Sequence, residues 1–250
     1  HVMRVLLAVL SISTLVLSGG EVRAQSFLDK ATDFLNKGGQ SDLLGGGAGA
    51  LTEGEIADGL LEALKVGTGR VVDQVSASGG YLDDSNIHIP LPGPLQTVQK
   101  ALRPLGMGGL TDDLEVRMNR AAEVAAPEAK AVFLDAISEL TLDDVQRIYD
   151  GPEDAATRYF QDKTTGRLTE RLSPIVDDAM AETGVVKSYN EAVGAYSDIP
   201  FTKKVTTDLT GYVVQGALDG LFFYLAREEA AIRQNPAART TELLQKVFAK

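Results

Sequence analysis

The adjacent carboxylates Asp112-Asp113, Asp143-Asp144, Asp177-Asp178 and Glu228-Glu229 and the internal histidine His88 are residues of this chain that invite chemistry. Two carboxylates at a suitable separation can share acid and base roles or hold a metal ion. Neighbours on a helix do not face each other, so each pair needs a partner from another element to make a site. The first two pairs fall in the first turn of an expected helix, where acids favour the positive end of the dipole. Glu228-Glu229 differs, because Arg227, Arg233 and Arg239 flank it. An ion-pair network closing the end of a bundle and a head-group site for a ligand both fit that pattern. Arg117, Asn119, Arg120 and Glu123 form a second polar group, in which Arg120 and Asn119 share a helical face with Glu123 by their spacing of three and four.

What is missing narrows the chemistry. The chain has two histidines, His1 and His88, and no cysteine, which removes a thiol nucleophile, cysteine-based zinc sites and motifs such as H-E-x-x-H. A serine triad would have to use His88, yet no G-x-S-x-G turn supplies the serine and the histidine stands among prolines. A capped or solvent-facing structural histidine is the expected reading. Gly67-Thr68-Gly69 lacks the spacing and the lysine of a phosphate loop. No catalytic residue, metal site or cofactor is expected.

Acids outnumber bases by 35 to 24, for a formal charge of −11, and no group of Lys and Arg stands clear of acids. Neither nucleic acid nor an anionic bilayer is an expected partner. Met3-Arg4, the apolar run Val5–Leu17 and Val22-Arg23-Ala24 have the layout of a secretory signal cleaved after Ala24. Losing Arg4, Arg23 and Glu21 with it takes the formal charge from −11 to −12. The expected product is periplasmic, and with no cysteine at the cleavage point it carries no lipid anchor. Without disulfides the fold must rest on apolar burial.

The elements that would position these residues are helical. Residues 25–50 read as an amphipathic helix over Phe27–Lys37 and a flexible linker marked by Gly38-Gly39 and Gly45-Gly46-Gly47, ahead of a helical domain over 51–250. Thr52 and Glu55 make a capping box, and Ile56, Leu60, Leu61 and Leu64 carry a helix toward Val75, weakened at Gly67 and Gly69 and stopped by Gly79-Gly80. The prolines of Asn86–Pro94 exclude helix and favour an extended strap packed by Ile87, Ile89 and Leu91. Further helices are expected over Pro94–Arg103, Asp112–Ala125, Pro127–Leu140, Leu142–Tyr149, Glu153–Gln161 and Arg167–Thr183, with Thr111, Thr141 and Ser188 as N-caps. Thr206–Arg233 is the longest candidate, roughly 42 Å of helix, apolar around its circumference and so expected as a buried central post. Gln215 and Asp219 interrupt it, which argues against a membrane span. Gly216 and Gly220 would let another helix approach closely, and Thr240–Phe248 supplies a last amphipathic helix. The expected fold is all-α, a single multi-helix bundle around the C-terminal post.

Ile89-Pro90-Leu91-Pro92, Met118-Asn119-Arg120-Ala121-Ala122-Glu123, Ala155-Ala156-Thr157-Arg158-Tyr159-Phe160 and Glu228-Glu229-x-x-Ile232-Arg233-x-Asn235-Pro236 through Arg239-Thr240-Thr241 resemble the bacterial exported family catalogued as domain of unknown function 4197, over about Leu51 to Phe248. The resemblance implies an all-helical exported domain, often in lipoproteins, with no established reaction; the missing anchoring cysteine departs from the lipoprotein members. Two classes of non-enzymatic function follow as expectations. One is a carrier or sensor for an apolar, lipid- or sterol-like molecule, with Arg117, Asn119, Arg120, Glu123, Tyr159, Tyr212, Phe223, Glu228, Glu229, Arg233 and Arg239 as the candidate ligand contacts. The other is a cell-envelope interaction module with no small ligand. A carrier needs a cavity, whereas an interaction module is packed solid. Oligomeric state is not legible.

Overall fold

Thr52 opens the first helix as its spacing predicts. Its hydroxyl accepts from the Glu55 amide at 3.2 Å, and the Glu55 carboxylate accepts from the Thr52 amide at 3.0 Å. The computed structural model describes residues 52–234. The signal-like segment, the helix expected over Phe27–Lys37, the glycine linker, Arg239 and the helix expected over Thr240–Phe248 lie outside the described residues. Among the described residues the regular structure is helical: α1 (Glu53–Ser76), α2 (Gly93–Leu102), α3 (Gly108–Ala125), α4 (Ala129–Ser138), α5 (Leu142–Asp150), α6 (Ala155–Glu182), α7 (Val185–Ser197) and α8 (Leu209–Gln234), with short 3-10 turns before α3 and α4.

Helices α1 to α7 pack around α8, whose Val213, Ala217, Leu218 and Leu221 are each no more than 1% exposed. Thr210 of α8 meets Asp177 of α6, and Glu229 meets Ala156 and Thr157, so the two long helices run antiparallel along their length. Phe133 of α4 sits edge-on to both Phe160 of α6 and Phe222 of α8, with ring centroids 6.4 and 5.8 Å apart. The post is not buried all round, however. Gly211, Gln215, Asp219, Phe223 and Arg227, four residues apart, form an exposed edge.

Several expected boundaries move. The helices expected over Glu153–Gln161 and Arg167–Thr183 are one continuous α6 with Pro174 inside it. Leu168, Leu172 and Val176 are wholly buried on one face while Pro174 is exposed. Packing therefore holds the helix across the proline, which costs it one main-chain hydrogen bond. Thr111 lies within the first turn of α3, its hydroxyl donating to the Gly108 carbonyl, because the helix starts three residues before the threonine. Asp112-Asp113 consequently sits beyond the first turn. Ser188 is inside α7, which Gly184 initiates at φ +78°. Thr141 does cap α5, in a reciprocal box with Asp144.

The strap is extended as expected, with Ile87, Ile89 and Leu91 at 7, 2 and 1% exposure. It also corrects the reading of Gly216 and Gly220, since the strap and not a helix lies against them. A Cβ on Gly216 would fall 2.9 Å from Ile89 Cδ1, and one on Gly220 would fall 2.6 Å from Tyr81 Cε1. Tyr81 cannot retreat, because it is fully buried and its hydroxyl donates to the Ala217 carbonyl at 2.6 Å. Gly220→Ala is expected to destabilise the protein by about 1–3 kcal/mol through overpacking. Chemical denaturation checks this, and a variant as stable as the parent would show that the tyrosine seat has slack.

Candidate functional site

Three side chains on α3 spaced by four, Glu115, Asn119 and Glu123, grip the main chain of the irregular segment that joins α1 to α2. Asn119, fully buried, accepts from the Ile89 amide at 2.8 Å and donates to the Ile89 carbonyl at 2.8 Å, with a further bond to the Glu115 carbonyl at 2.9 Å. That bidentate contact replaces the pairing a strand would obtain from a neighbour. Glu123, 5% exposed, accepts from the amides of Tyr81 and Leu82 at 3.2 and 3.0 Å and from Arg120 at 2.7 Å. Arg120 reaches on to the Ser78 hydroxyl at 3.0 Å. Helix α8 adds Tyr224, whose hydroxyl donates to Asp84. That bond, with those from Asn86, holds the Asp84 carboxyl below its ordinary pKa. Burial first, and the carboxylates of Glu123 and Asp219 second, push the Tyr81 phenol far above its usual value, so it stays a neutral donor.

His88 is the third strap fastening. Its Nδ1 lies 2.9 Å from the Leu82 carbonyl and its Nε2 lies 2.7 Å from Glu115 Oε1. Both neighbours are acceptors, so the imidazolium is the form that satisfies both. Burial alone would lower its pKa, but the bonds to Glu115 and Leu82 and the charges of Glu115 and Asp83 outweigh it and raise the value above 6.5. A group with a raised folded pKa contributes stability fully below the unfolded pKa and loses it as pH climbs through the folded one. The stability gap between the protein and His88→Gln is therefore expected to be widest below pH about 6.5 and to close on the alkaline side. An NMR titration placing His88 below 6.5 would refute this.

The second polar cluster joins four helices. Glu229, whose side chain is 9% exposed, accepts from the Ala156 and Thr157 amides and the Thr157 hydroxyl, each at 2.9 Å, and pairs with Arg233 at 3.0 Å. It does for the first turn of α6 what an N-cap residue would do, from a different helix. Arg233 in turn donates to the carbonyls of Ile148 and Tyr149 at 2.6 and 3.1 Å, closing the C-terminal end of α5. Glu228 pairs with Arg70 of α1 at 2.6 Å, a partner its own flanking arginines concealed. Arg227 lies instead over the Phe223 ring, 5.3 Å from its centroid. Gly67, a weak point for helix propensity, is where α1 meets this cluster: a Cβ there would lie 3.2 Å from Glu228 Cγ.

The remaining candidate residues lie elsewhere. Arg117 pairs with Asp113 at 2.7 Å and donates to the Thr183 carbonyl. The Tyr159 hydroxyl bonds Asp144 at 3.2 Å. Tyr212 and Phe223 line a groove of about 320 Å³ between α8 and the strap, together with His88, Ile89, Gly216 and Asp219. Among the described residues no group of three His, Asp or Glu side chains comes together to hold a metal ion. No described helix is long and apolar enough to cross a membrane.

Residues 50–249 match the model of a family described as a protein of unknown function, DUF4197. The chain belongs to this family. Comparison with curated proteins and with solved structures returned no match. In this member of the family, Met118–Glu123 carries the strap clamp, Ala155–Phe160 carries the amides that Glu229 holds, and Glu228–Arg233 ties α1, α5, α6 and α8 together.

The sequence reading missed Glu115, Tyr81, Arg70 and Thr157 as members of these clusters. Glu115 had a usable signal, since it precedes Asn119 by four and Glu123 by eight and so extends one polar stripe on α3. Tyr81, Arg70 and Thr157 had none, because their partners lie 136, 158 and 72 residues away along the chain.

Proposed function

We propose that this chain is a non-enzymatic helical module of the periplasm that acts through its surface, as an interaction protein of the cell envelope, and holds no small ligand in its interior. The packing beneath the α1–α6–α8 cluster carries this reading. The apolar recess lined by Leu60, Ala63, Phe160, Leu225 and Ile232 has room of about 30 Å³, on the scale of one water, where ligand pockets run to about 300–1,000 Å³. The polar groups that could have met a head group support it too. Asn119, Glu123, Glu229 and Arg233 spend their hydrogen bonds on the protein's own main chain. The signal-like N-terminus supports the compartment.

A second reading, an elongated apolar ligand lying on the surface, is favoured by the groove of about 320 Å³ where Tyr212 and Phe223 flank the strap. Native mass spectrometry of protein prepared without detergent separates the two. The interaction reading expects the mass of the polypeptide alone. A co-purified lipid lost on Gly216→Leu would overturn it in favour of the groove.

A further inference from the structure

The turn between α7 and α8 carries an aromatic side chain that the free molecule has no use for. Phe201 is 104% exposed, and at φ +67° it is the non-glycine residue with a left-handed backbone among those described. It stands at the third position of the Ile199–Thr202 turn, after Pro200, where positive φ ordinarily calls for glycine or asparagine. The turn is hydrogen-bonded to the end of α7. The Thr202 amide donates to the Ile199 carbonyl, and its hydroxyl bonds the Tyr196 and Ile199 carbonyls at 3.1 and 3.0 Å. A bulky residue held against its backbone preference, with its ring wholly in water, is a strained position without an internal reward.

The surroundings give the ring a partner. Lys203 and Lys204 follow it, both exposed, with the nearest acids in sequence, Asp198 and Asp208, at the two ends of the segment. The Ser188 to Asp113 and Arg117 to Thr183 hydrogen bonds make α7 antiparallel to α3. The C-terminal end of α7 therefore lies toward the corner that begins α3, where Leu105 and Met107 are 58 and 45% exposed. This end of the molecule thus combines a protruding aromatic, two further exposed apolar side chains and a lysine pair. Apolar side chains beside cations match the boundary between acyl chains and anionic head groups.

We propose that the Ile199–Val205 turn is an interfacial anchor that seats this end of the bundle on an anionic phospholipid surface, with Phe201 entering the acyl boundary and Lys203 and Lys204 meeting the head groups. The overall charge of −11 does not forbid this, since charges more than about 8–10 Å from the surface are screened at physiological salt. The proposal goes beyond the interaction reading and holds whether or not the groove takes a ligand.

The chain has no tryptophan, so Phe201→Trp in the full-length protein places a single reporter at the tip. Phosphatidylglycerol-containing vesicles should shift its emission to the blue, and lipids brominated on the acyl chain should quench it. Vesicles of phosphatidylcholine alone should do so several-fold less, and Lys203→Gln with Lys204→Gln should raise the lipid needed several-fold. Leu142→Trp is the control, 53% exposed on α5, which Arg233 docks on the far end of α8. Its emission should not change. The anchor is refuted if the emission of Phe201→Trp ignores anionic vesicles while the variant melts normally. It is equally refuted if both reporters are quenched alike, which would mean that some other part of the chain holds the membrane. A tip reporter that responds to a protein fraction of the envelope and not to vesicles would overturn the lipid and point to a protein partner.

Discussion

Glu229→Ala is expected to destabilise the protein by about 3–5 kcal/mol, the range for breaking a buried ion pair by removing one partner. The carboxylate answers three donors on the first turn of α6 and one guanidinium, so its loss strands two amides and a hydroxyl and takes the opposite charge from beside Arg233. Glu229→Gln should recover only part of the loss, because an amide oxygen can serve one side of the cluster while its NH2 meets donors on the other. Arg233→Leu should also be costly, since it uncaps the end of α5. Combining it with Glu229→Ala should cost less than the sum of the two, as expected for residues in one network. Urea denaturation of the four variants beside the parent tests this. A loss within about 0.5 kcal/mol for Glu229→Ala, the size of an ordinary surface effect, would show that the cluster does not hold α6 to α8.

Asn119→Ala is the next largest expected effect. It leaves the Ile89 amide and carbonyl buried without their partner, at about 1–3 kcal/mol for each unsatisfied group. Asn119→Asp should be no better, because it sets a second acceptor against the Ile89 carbonyl, 2.8 Å from the atom that now donates. Helix α3 itself should persist, since its buried Leu114, Met118, Ala121 and Ala122 are untouched. The strap should loosen selectively. Hydrogen exchange is the measurement: the Ile89 amide should lose protection in Asn119→Ala while the amides of α8 keep theirs. Unchanged protection at Ile89 would mean that Ile87, Ile89 and Leu91 hold the strap by apolar contact alone.

The legible parts of the fold were those with local physical causes. Thr52 and Thr141 cap helices because a hydroxyl and a carboxylate three residues apart satisfy each other's amides, and no distant residue is needed. The prolines at 90, 92 and 94 forced an extended path wherever the strap lay. Boundaries failed where tertiary packing overrode a local signal. Pro174 is a helix breaker by propensity, yet α6 continues through it because Leu172 and Val176 are buried on the opposite face. Ser188 looks like a cap, but its hydroxyl donates to Asp113 on α3 at 2.5 Å.

The candidate site divides in the same way. Arg120 and Glu123, or Glu229 and Arg233, are three or four residues apart, and helical geometry alone makes them neighbours. By itself, then, the sequence determined the helical class, the strap, the two polar clusters as clusters and the family. It could not say what those clusters do, because a carboxylate beside an arginine looks the same whether its free oxygen meets a ligand or a main-chain amide. Only the tertiary structure decided that, by bringing the amides of Tyr81 and Leu82 to Glu123 and those of Ala156 and Thr157 to Glu229. It also decided that Gly216 and Gly220 receive the strap and not a helix. Close approach depends on which segment comes to lie there, and a missing Cβ on one helix carries no information about its neighbour.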